Sequence, residues 1–340
     1  MRKKYKIGSL LFAAIVFMAS SFFTLPYYVS KPGMAKELEP IIEVEHGYKE
    51  KGSFMLTTVR MGKANIYSYL LAKASKYQEI YPVDLIKRED ESDEEYNTRQ
   101  LHLMESSKLN AIEVAYKKHG LPVNYEYKGV YVLNIYPGMP ADGKLLPGDR
   151  IFKADNNSFS SSDLFIDYVS KKKEGEKIKL TIERNEQTKE INLTVAPFPD
   201  QPTNKGIGID LVDDKEIMVN PDVKVNTEEI GGPSAGLMFS LEIYNQLTKE
   251  DLTKGYAIAG TGTIDENGIV GPIGGIEQKI VAADKVGAEI FFAPNEKGIK
   301  DSNYNAAVKT AEDIHTKMKI IPIDTFDEAV AYLESLPIKK

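Results

Sequence analysis

A run of small residues, GGPSAG from Gly231 to Gly236, predicts a tight turn that leads directly into a helix. Apolar residues follow at intervals of three or four, which is the spacing of one helix face. Ser234 is therefore expected where a loop becomes a helix, and there free backbone N–H groups and the helix dipole favour a developing negative charge. The simpler interpretation is a turn whose serine only caps the helix.

A lysine follows that serine after 45 residues, on the apolar face of a second predicted helix. At 3.6 residues per turn, Lys279 shares a face with Ile276, Ile280 and Ala283. Such a lysine either extends its ammonium to water or is desolvated, and desolvation lowers its pKa until it can act as a base near pH 7. Because a serine needs a base to become a strong nucleophile, the spacing predicts a Ser234–Lys279 pair.

Three ordered motifs then resemble the proteolytic domain of Lon-type proteases. They are GGPSAG, AGTGTI (Ala259 to Ile264) and GIVGPIGGIEQKIVAAD (Gly268 to Asp284). The resemblance implies that Ser234 is the nucleophile, that Lys279 is the base and that Thr261 orients the lysine amine. Lon proteins usually carry a Lys-Asp pair before the Gly-Pro-Ser, whereas this chain has Ile230 and Gly231, so no auxiliary acid is implied there.

The amino-terminal region predicts a membrane anchor. MRKKYK is followed by 23 residues without charge, Ile7 to Val29, which as a helix could cross a bilayer core of about 30 Å. Basic residues before the run and acidic residues after it predict a single-pass membrane protein with a cytoplasmic N-terminus and an extracytoplasmic body. A cleaved signal peptide is the alternative, because Ala19-Ser20-Ser21 offers small residues.

The segment GVYVLNIYPGMPADGKLLPGDRIFKADN, from Gly129 to Asn156, resembles a PDZ domain. The resemblance covers 105–197 and implies that an extended peptide is captured by strand addition. The peptide-accepting edge would consist of Lys128, Gly129, Val130, Tyr131 and Val132. The alternative is a small β-domain that binds nothing.

The predicted fold class is α+β, with four regions in order. We expect a cytoplasmic tip and transmembrane anchor at 1–30, a stalk with a strand and helix at 31–104, a PDZ β-sandwich-like domain at 105–197 and a Lon-type proteolytic α/β domain at 206–337. The stalk itself is predicted for 31–51. If the predicted strand Gly52 to Val59 belongs to the proteolytic domain, the PDZ domain is an insertion.

Composition excludes several classes of site. With 43 basic and 50 acidic residues the formal charge is −7, and no long basic block follows the first few residues, so nucleic acid is not an expected partner. The chain has no cysteine, which excludes a thiol nucleophile and disulfides, and it has no histidine cluster, so neither a metal nor a cofactor is expected. No G-x-x-x-x-G-K-[ST] segment is present, so no ATP site is predicted.

Other serine hydrolases fit less well. G-x-S-x-G also occurs in α/β-hydrolases, but these need a later histidine, and His315 is the only one after the serine. Trypsin-like enzymes need histidine and aspartate upstream, and His46, His102 and His119 have no fitting context. The remaining alternative is a non-catalytic PDZ scaffold with a degenerate Lon-like domain.

Taken together, the chain resembles bacterial membrane-anchored PDZ–Lon-like proteases. The resemblance implies an ATP-independent endopeptidase that cleaves polypeptides with exposed tails, among them small exported or membrane-anchored proteins presented by the PDZ domain. It further implies a signalling peptide or a cell-division inhibitor as substrate, a role in recovery from a DNA-damage checkpoint, and a homo-oligomer in the form of a hexameric ring.

Overall fold

A computed structural model describes residues 18, 20, 22–87, 91–159, 161–227 and 230–339. The strands are β1 Thr24–Glu37, β2 Ile42–Val44, β3 Ser53–Asn65, β4 Glu79–Pro82, β5 Asn124–Ile135, β6 Arg150–Ala154, β7 Lys177–Arg184, β8 Gln187–Thr194, β9 Ala196–Phe198, β10 Gln201–Gly206, β11 Ile209–Met218, β12 Val223–Val225, β13 Ala257–Gly260, β14 Thr263–Ile264, β15 Val270–Gly271, β16 Ile290–Pro294 and β17 Lys319–Ile323. The helices are α1 Ile66–Ala74, α2 Val83–Ile86, α3 Asp93–Lys118, α4 Ser162–Ser170, α5 Gly236–Leu247, α6 Ile276–Lys285, α7 Asn303–Asp313 and α8 Phe326–Ser335. The mixed α+β class is thereby confirmed.

The chain forms two compact units. The first combines Met1–Ile42, Tyr48–Glu91 and Ser234–Lys340, and the second combines Glu43–Gly47 with Ser92–Pro233. Strand β3 contains the predicted strand Gly52 to Val59 from Ser53 onward, and it pairs with β13 of the first unit. Apart from Glu43–Gly47, the second unit is therefore inserted into the first between α2 and Ser234. The inserted part begins with α3, which starts before the range predicted for the PDZ domain, and it continues through β11 and β12 after that range.

A six-stranded sheet with the order β17-β16-β13-β3-β1-β4 forms the centre of the first unit. The strands from β17 to β3 are parallel, while β1 runs antiparallel to both β3 and β4. The sequences AIAG and IFFAP read as continuous apolar runs because parallel strands in the middle of a sheet are covered on both faces. One core cluster joins Met55, Ala259 and Phe291 of the sheet to Ile276 and Ile280 of α6.

Strand β1 differs from what the sequence predicted for residues 24–37. The predicted membrane span extends to Val29 and the predicted stalk begins at residue 31. Yet the end of the span, 24–29, and the start of the stalk, 31–37, both belong to β1. Tyr28, Val29 and Ser30 are buried because they pair with β3 on one side and β4 on the other, so their apolar character reflects a central strand. Most of the earlier part of the predicted span, 7–23, lies outside the described residues.

Among the residues that the structure describes, no helix combines the length and the apolar composition that a bilayer crossing requires.

A five-stranded antiparallel sheet with the order β11-β5-β6-β7-β8 forms the second unit. Its core contains Val130, Val132, Ile151, Ile182 and Leu193, with Phe165 and Val169 of α4 packed on it. The predicted edge at residues 128–132 does not lie at an edge. Strand β5 pairs with β6 on one side, and on the other Gly129 to Val132 pair with Asp214 to Leu211 of β11. The local sequence could not show this, because β11 returns from about eighty residues later in the chain.

Gly275 fixes the start of α6 and hence the position of Lys279. It adopts a left-handed conformation with φ of +70°, which costs little only for glycine. A Cβ at this position would also approach the Val59 Cγ1 to 2.5 Å. The Gly275 carbonyl accepts the hydrogen bond of the Lys279 N–H at 3.1 Å. The second glycine of the Gly-Gly pair is therefore required by the geometry of this helix start.

We expect Gly275→Ala to destabilise the first unit by at least about 1–2 kcal/mol, which is the usual cost of a left-handed alanine, and more because of the contact with Val59. Thermal unfolding of the purified chain in detergent measures the change. Gly274→Ala is the matched control, because the space around its Cβ is open and its φ is not positive. Equal melting temperatures for the two variants would contradict this account.

Candidate active site

Ser234 precedes α5 by two residues, and its backbone is tied to the strand end at β13. The Ser234 carbonyl oxygen accepts hydrogen bonds from the Gly262 N–H at 2.9 Å and from the Thr261 Oγ1 at 2.9 Å. In return, the Leu237 N–H donates to the Gly262 carbonyl at 3.1 Å. Helix α5 is buried along almost its whole length, so Ser234 is held at the start of a rigid helix.

Lys279 reaches the serine from α6. Its side chain is only 2% exposed, and its Nζ lies 2.7 Å from the Ser234 Oγ and 2.8 Å from the Thr261 Oγ1. The structure therefore brings together all three residues that the sequence selected. Thr261 accepts from the lysine and donates to the Ser234 carbonyl, so it links the amine to the serine backbone.

Burial alters the acid–base chemistry of the lysine. Desolvation lowers the pKa of Lys279 from its ordinary value of 10.5 to about 7. Burial accounts for this shift of the Lys279 pKa. A substantial fraction of the amine is therefore neutral at pH 7 and can accept the Ser234 proton.

The lowered pKa implies a pH-dependent cost to stability. The folded lysine is neutral between pH 7 and 10.5 whereas the unfolded one is charged, so the cost grows as the pH falls from 10.5 to 7 and is constant below 7. We expect Lys279→Met to raise the free energy of unfolding by several kcal/mol at pH 6, since each unit of pKa depression corresponds to about 1.4 kcal/mol, and by much less at pH 10.

Urea unfolding across this pH range measures the gain. Lys285→Met on the same helix is the control, because Lys285 is exposed. A gain that does not change with pH would show that the Lys279 amine keeps its ordinary pKa in the folded protein.

Two backbone N–H groups near the serine are already engaged. The Gly232 N–H donates to the Gln100 carbonyl at 2.9 Å, and the Leu237 N–H donates to Gly262. The N–H groups of Ser234 and Ala235 have no backbone acceptor among the described residues outside the helices and strands. These two groups can therefore donate hydrogen bonds to a developing oxyanion.

Gln100 contacts Gly231 at the start of this turn, and the sequence did not reveal this neighbour. A Cβ on Gly231 would approach the Gln100 Cβ to 2.9 Å, so there is no room for the aspartate that Lon proteins usually have here. Gln100 lies on α3, and residues 100 and 231 are far apart in the sequence with no shared motif. Within the second unit, Gly231 and Gln100 therefore lie too close together for a larger side chain at position 231.

A buried carboxyl pair near the other end of α5 was also missed. Glu242 is fully buried, and Glu50 accepts a hydrogen bond from the Asn245 Nδ2 at 2.9 Å. Burial raises the pKa of Glu50 to about 9 and that of Glu242 to about 7, and the negative charge of each neighbour adds to the effect at Glu50. The pair therefore retains a proton at neutral pH and holds the Tyr48–Gly52 segment against α5.

Comparison with known proteins gives two family matches. Residues 111–195 match the PDZ domain family, and residues 163–334 match the Lon protease (S16) C-terminal proteolytic domain. The two matches overlap at 163–195, which the structure places in α4, β7 and β8 of the second unit.

Curated relatives include Lon proteases from several bacteria. That of Metamycoplasma arthritidis is 35% identical over 104 residues, which is 30% of this chain and 11% of that protein. That of Trichlorobacter lovleyi is 34% identical over 110 residues, 32% of this chain and 12% of that protein. This chain thus spans about a tenth of the length of these relatives. A PDZ domain of an SdrC-like protein from Listeria monocytogenes is similar at 35% identity, covering 26% of this chain and 90% of that one, with a TM-score of 0.24.

Proposed function

This chain belongs to the Lon protease (S16) C-terminal proteolytic domain family, and we propose that it is an ATP-independent endopeptidase that uses Ser234 and Lys279. As a member it is a serine-type peptidase. The single observation that carries the proposal is the 2.7 Å contact between the Ser234 Oγ and a lysine amine that is 2% exposed. A scaffold without catalysis has no use for a desolvated lysine at this place.

In the proposed reaction the neutral Lys279 amine accepts the Ser234 proton as the Oγ attacks the peptide carbonyl carbon. The tetrahedral oxyanion accepts hydrogen bonds from the N–H groups of Ser234 and Ala235 at the positive end of α5. The lysine then protonates the leaving amine, which departs and leaves an acyl-enzyme. A water molecule, deprotonated by the same amine, hydrolyses the ester.

Thr261 positions the amine in this scheme. Its Oγ1 accepts a hydrogen bond from the Lys279 Nζ and donates one to the Ser234 carbonyl. The Nζ lone pair of the neutral amine is thereby directed at the Ser234 Oγ. This is the auxiliary role that the sequence resemblance implied for Thr261.

The range of substrates follows from the two units. The PDZ and protease domains fit a polypeptide substrate. These 340 residues contain no phosphate-binding loop, so we propose that flexible chains with exposed tails are cleaved without nucleotide.

We also propose a membrane-anchored enzyme of the cell exterior, with residues 7–23 as the anchor. Its substrates would be small exported or membrane-anchored proteins, such as a signalling peptide or a cell-division inhibitor that must be removed after a DNA-damage checkpoint. A hexameric ring is part of the same proposal, by resemblance to Lon-type domains.

We expect Ser234→Ala and Lys279→Met each to reduce cleavage of casein by about a thousandfold or more, because each removes one half of the proton transfer. The full chain in detergent is incubated without nucleotide, and Lys285→Met is the control with unchanged cleavage. The kcat/KM of the parent should rise with pH through about 7, as Lys279 loses its proton.

Cleavage that survives in both variants would exclude the dyad. A rate that is flat between pH 5 and 9 would exclude a lysine base, and an absolute need for ATP would exclude the proposed independence.

Peptide capture requires a different strand from the predicted one. In the described residues β11 has β5 as its only strand partner, so its outer side is an edge of the sheet. Helix α4 lies beside this edge, and the Ser162 N–H donates to the Asp213 carboxylate at 2.7 Å. We propose that an extended tail is added to β11, where main-chain hydrogen bonds supply most of the affinity.

This relocation is testable because the chain has no cysteine. In the Ser234→Ala chain, we expect an environment-sensitive fluorophore on Val212→Cys of β11 to respond to added casein. The same fluorophore on Glu190→Cys of β8, the opposite edge, should remain unchanged. A response at β8 alone, or equal responses at both edges, would contradict strand addition at β11.

A further inference from the structure

Three segments of the first unit meet at one end of its sheet. Thr24 at the start of β1 pairs with Asn65 at the end of β3, and α1 begins at the next residue. Tyr27 pairs with Pro82 at the end of β4, after which α2 begins. Ser20 also hydrogen-bonds to Tyr67 of α1. The residues before β1 and the two short helices therefore lie side by side.

Large apolar side chains are exposed in each of these three segments. The exposed fraction lies between 59% and 81% at Phe22, Phe23, Leu70, Leu71 and Leu85. We call these five residues the apolar end. Scattered exposed apolar residues are ordinary, but a group drawn from three adjoining segments marks an interaction surface.

Helix α1 has the reverse of the usual amphipathic pattern. Its only buried residue is Ala72, whereas Ile66, Leu70 and Leu71 face outward. Helices of soluble proteins usually bury their large apolar residues and expose their charged ones. The exposed side of α1 also carries a cation, Lys73, in its last turn. Helices at a membrane surface combine apolar residues with Lys or Arg.

A cationic pocket adjoins the apolar end. It has a volume of about 340 Å³, and Lys31, Arg60 and Lys63 line it together with Leu71 of α1. None of its lining residues is acidic. Across β1 and β3, Lys31 pairs directly with Arg60, so two like charges stand side by side. Such an arrangement favours an anionic ligand, and its position beside Leu71 favours one that is attached to an apolar chain.

We propose that the apolar end rests in the interfacial region of a bilayer and that the phosphate of an anionic phospholipid binds in the cationic pocket. The proposal rests on the membrane location proposed above. Asp84, the acidic residue of α2, is exposed and does not line the pocket.

The length of the uncharged run supports this arrangement. Because β1 begins at Thr24, only the seventeen residues 7–23 remain for a crossing. As a helix they would be about 26 Å long, whereas the hydrocarbon core is about 30 Å thick. An apolar end that penetrates the interface by a few ångströms makes up the difference, and it would hold the folded unit against the membrane surface.

The experiment uses the full Ser234→Ala chain reconstituted into vesicles of phosphatidylcholine and phosphatidylglycerol. A fluorophore is attached to one cysteine in each of three variants, Leu70→Cys, Leu85→Cys and the control Val286→Cys. Lipids brominated along the acyl chain quench the fluorophore on contact. Val286 is 49% exposed at the end of α6 and is remote in sequence from the apolar end. We expect at least about twofold quenching at positions 70 and 85 and none at 286.

Each other result has a defined meaning. Protein that does not stay with the vesicles overturns the membrane location itself. If the protein stays with the vesicles but iodide in the water quenches the fluorophore at position 70 as strongly as the one at position 286, the lipid contact is overturned and the anchor is not. Protection from iodide without quenching by brominated lipid would show that another protein surface covers the apolar end, either a second copy or residues 1–17, and this also overturns the proposal.

The headgroup contact is tested separately. In vesicles of phosphatidylcholine alone, quenching at position 70 should fall by about half or more, and Arg60→Gln with Lys63→Gln should produce the same fall in the mixed vesicles. Quenching that depends on neither change would show an apolar contact without an anionic headgroup, and would overturn the assignment of the pocket.

Discussion

The desolvation of one lysine is the constraint on which the first unit depends. Lys279 is buried against Ser234 and Thr261, and its pKa falls because burial removes the charged amine from water. Keeping an amine there requires a rigid environment, which the left-handed Gly275, the packed face of α6 and the end of β13 provide. The protein thus trades folding stability for a base at neutral pH, a trade that active sites commonly make.

Much of this site could be predicted from the sequence because its determinants are local. The Gly-Pro-Ser turn, the helix that follows it and the face occupied by Lys279 each lie within one short segment, where helical periodicity assigns directions to side chains. Thr261 needed the family resemblance as well. Its hydrogen bonds to the serine backbone and the lysine could not be inferred from spacing alone.

The features that escaped prediction all depend on pairing between distant segments. The sequence predicts an edge strand at Val130 and Val132, but β11 pairs with them in the structure. It predicts a membrane residue at Val29, but β3 and β4 pair with β1 on both sides there. An apolar strand in mid-sheet and the end of an apolar span have the same local composition. The same holds for the exposed leucines of α1, because helical periodicity gives a face but not its neighbour.

The insertion of the second unit has a consequence for the order in which the enzyme acquires activity. Strand β3 pairs with β13, so Met55 meets Ala259 only after the intervening segment has been synthesised. Ser234 is made shortly before β13, whereas Thr261 and Lys279 follow it, and the sheet that supports all three is incomplete until β13 has paired. A nascent chain therefore carries no working peptidase while it is being synthesised, and proteolysis begins only when the last third of the polypeptide has joined the first.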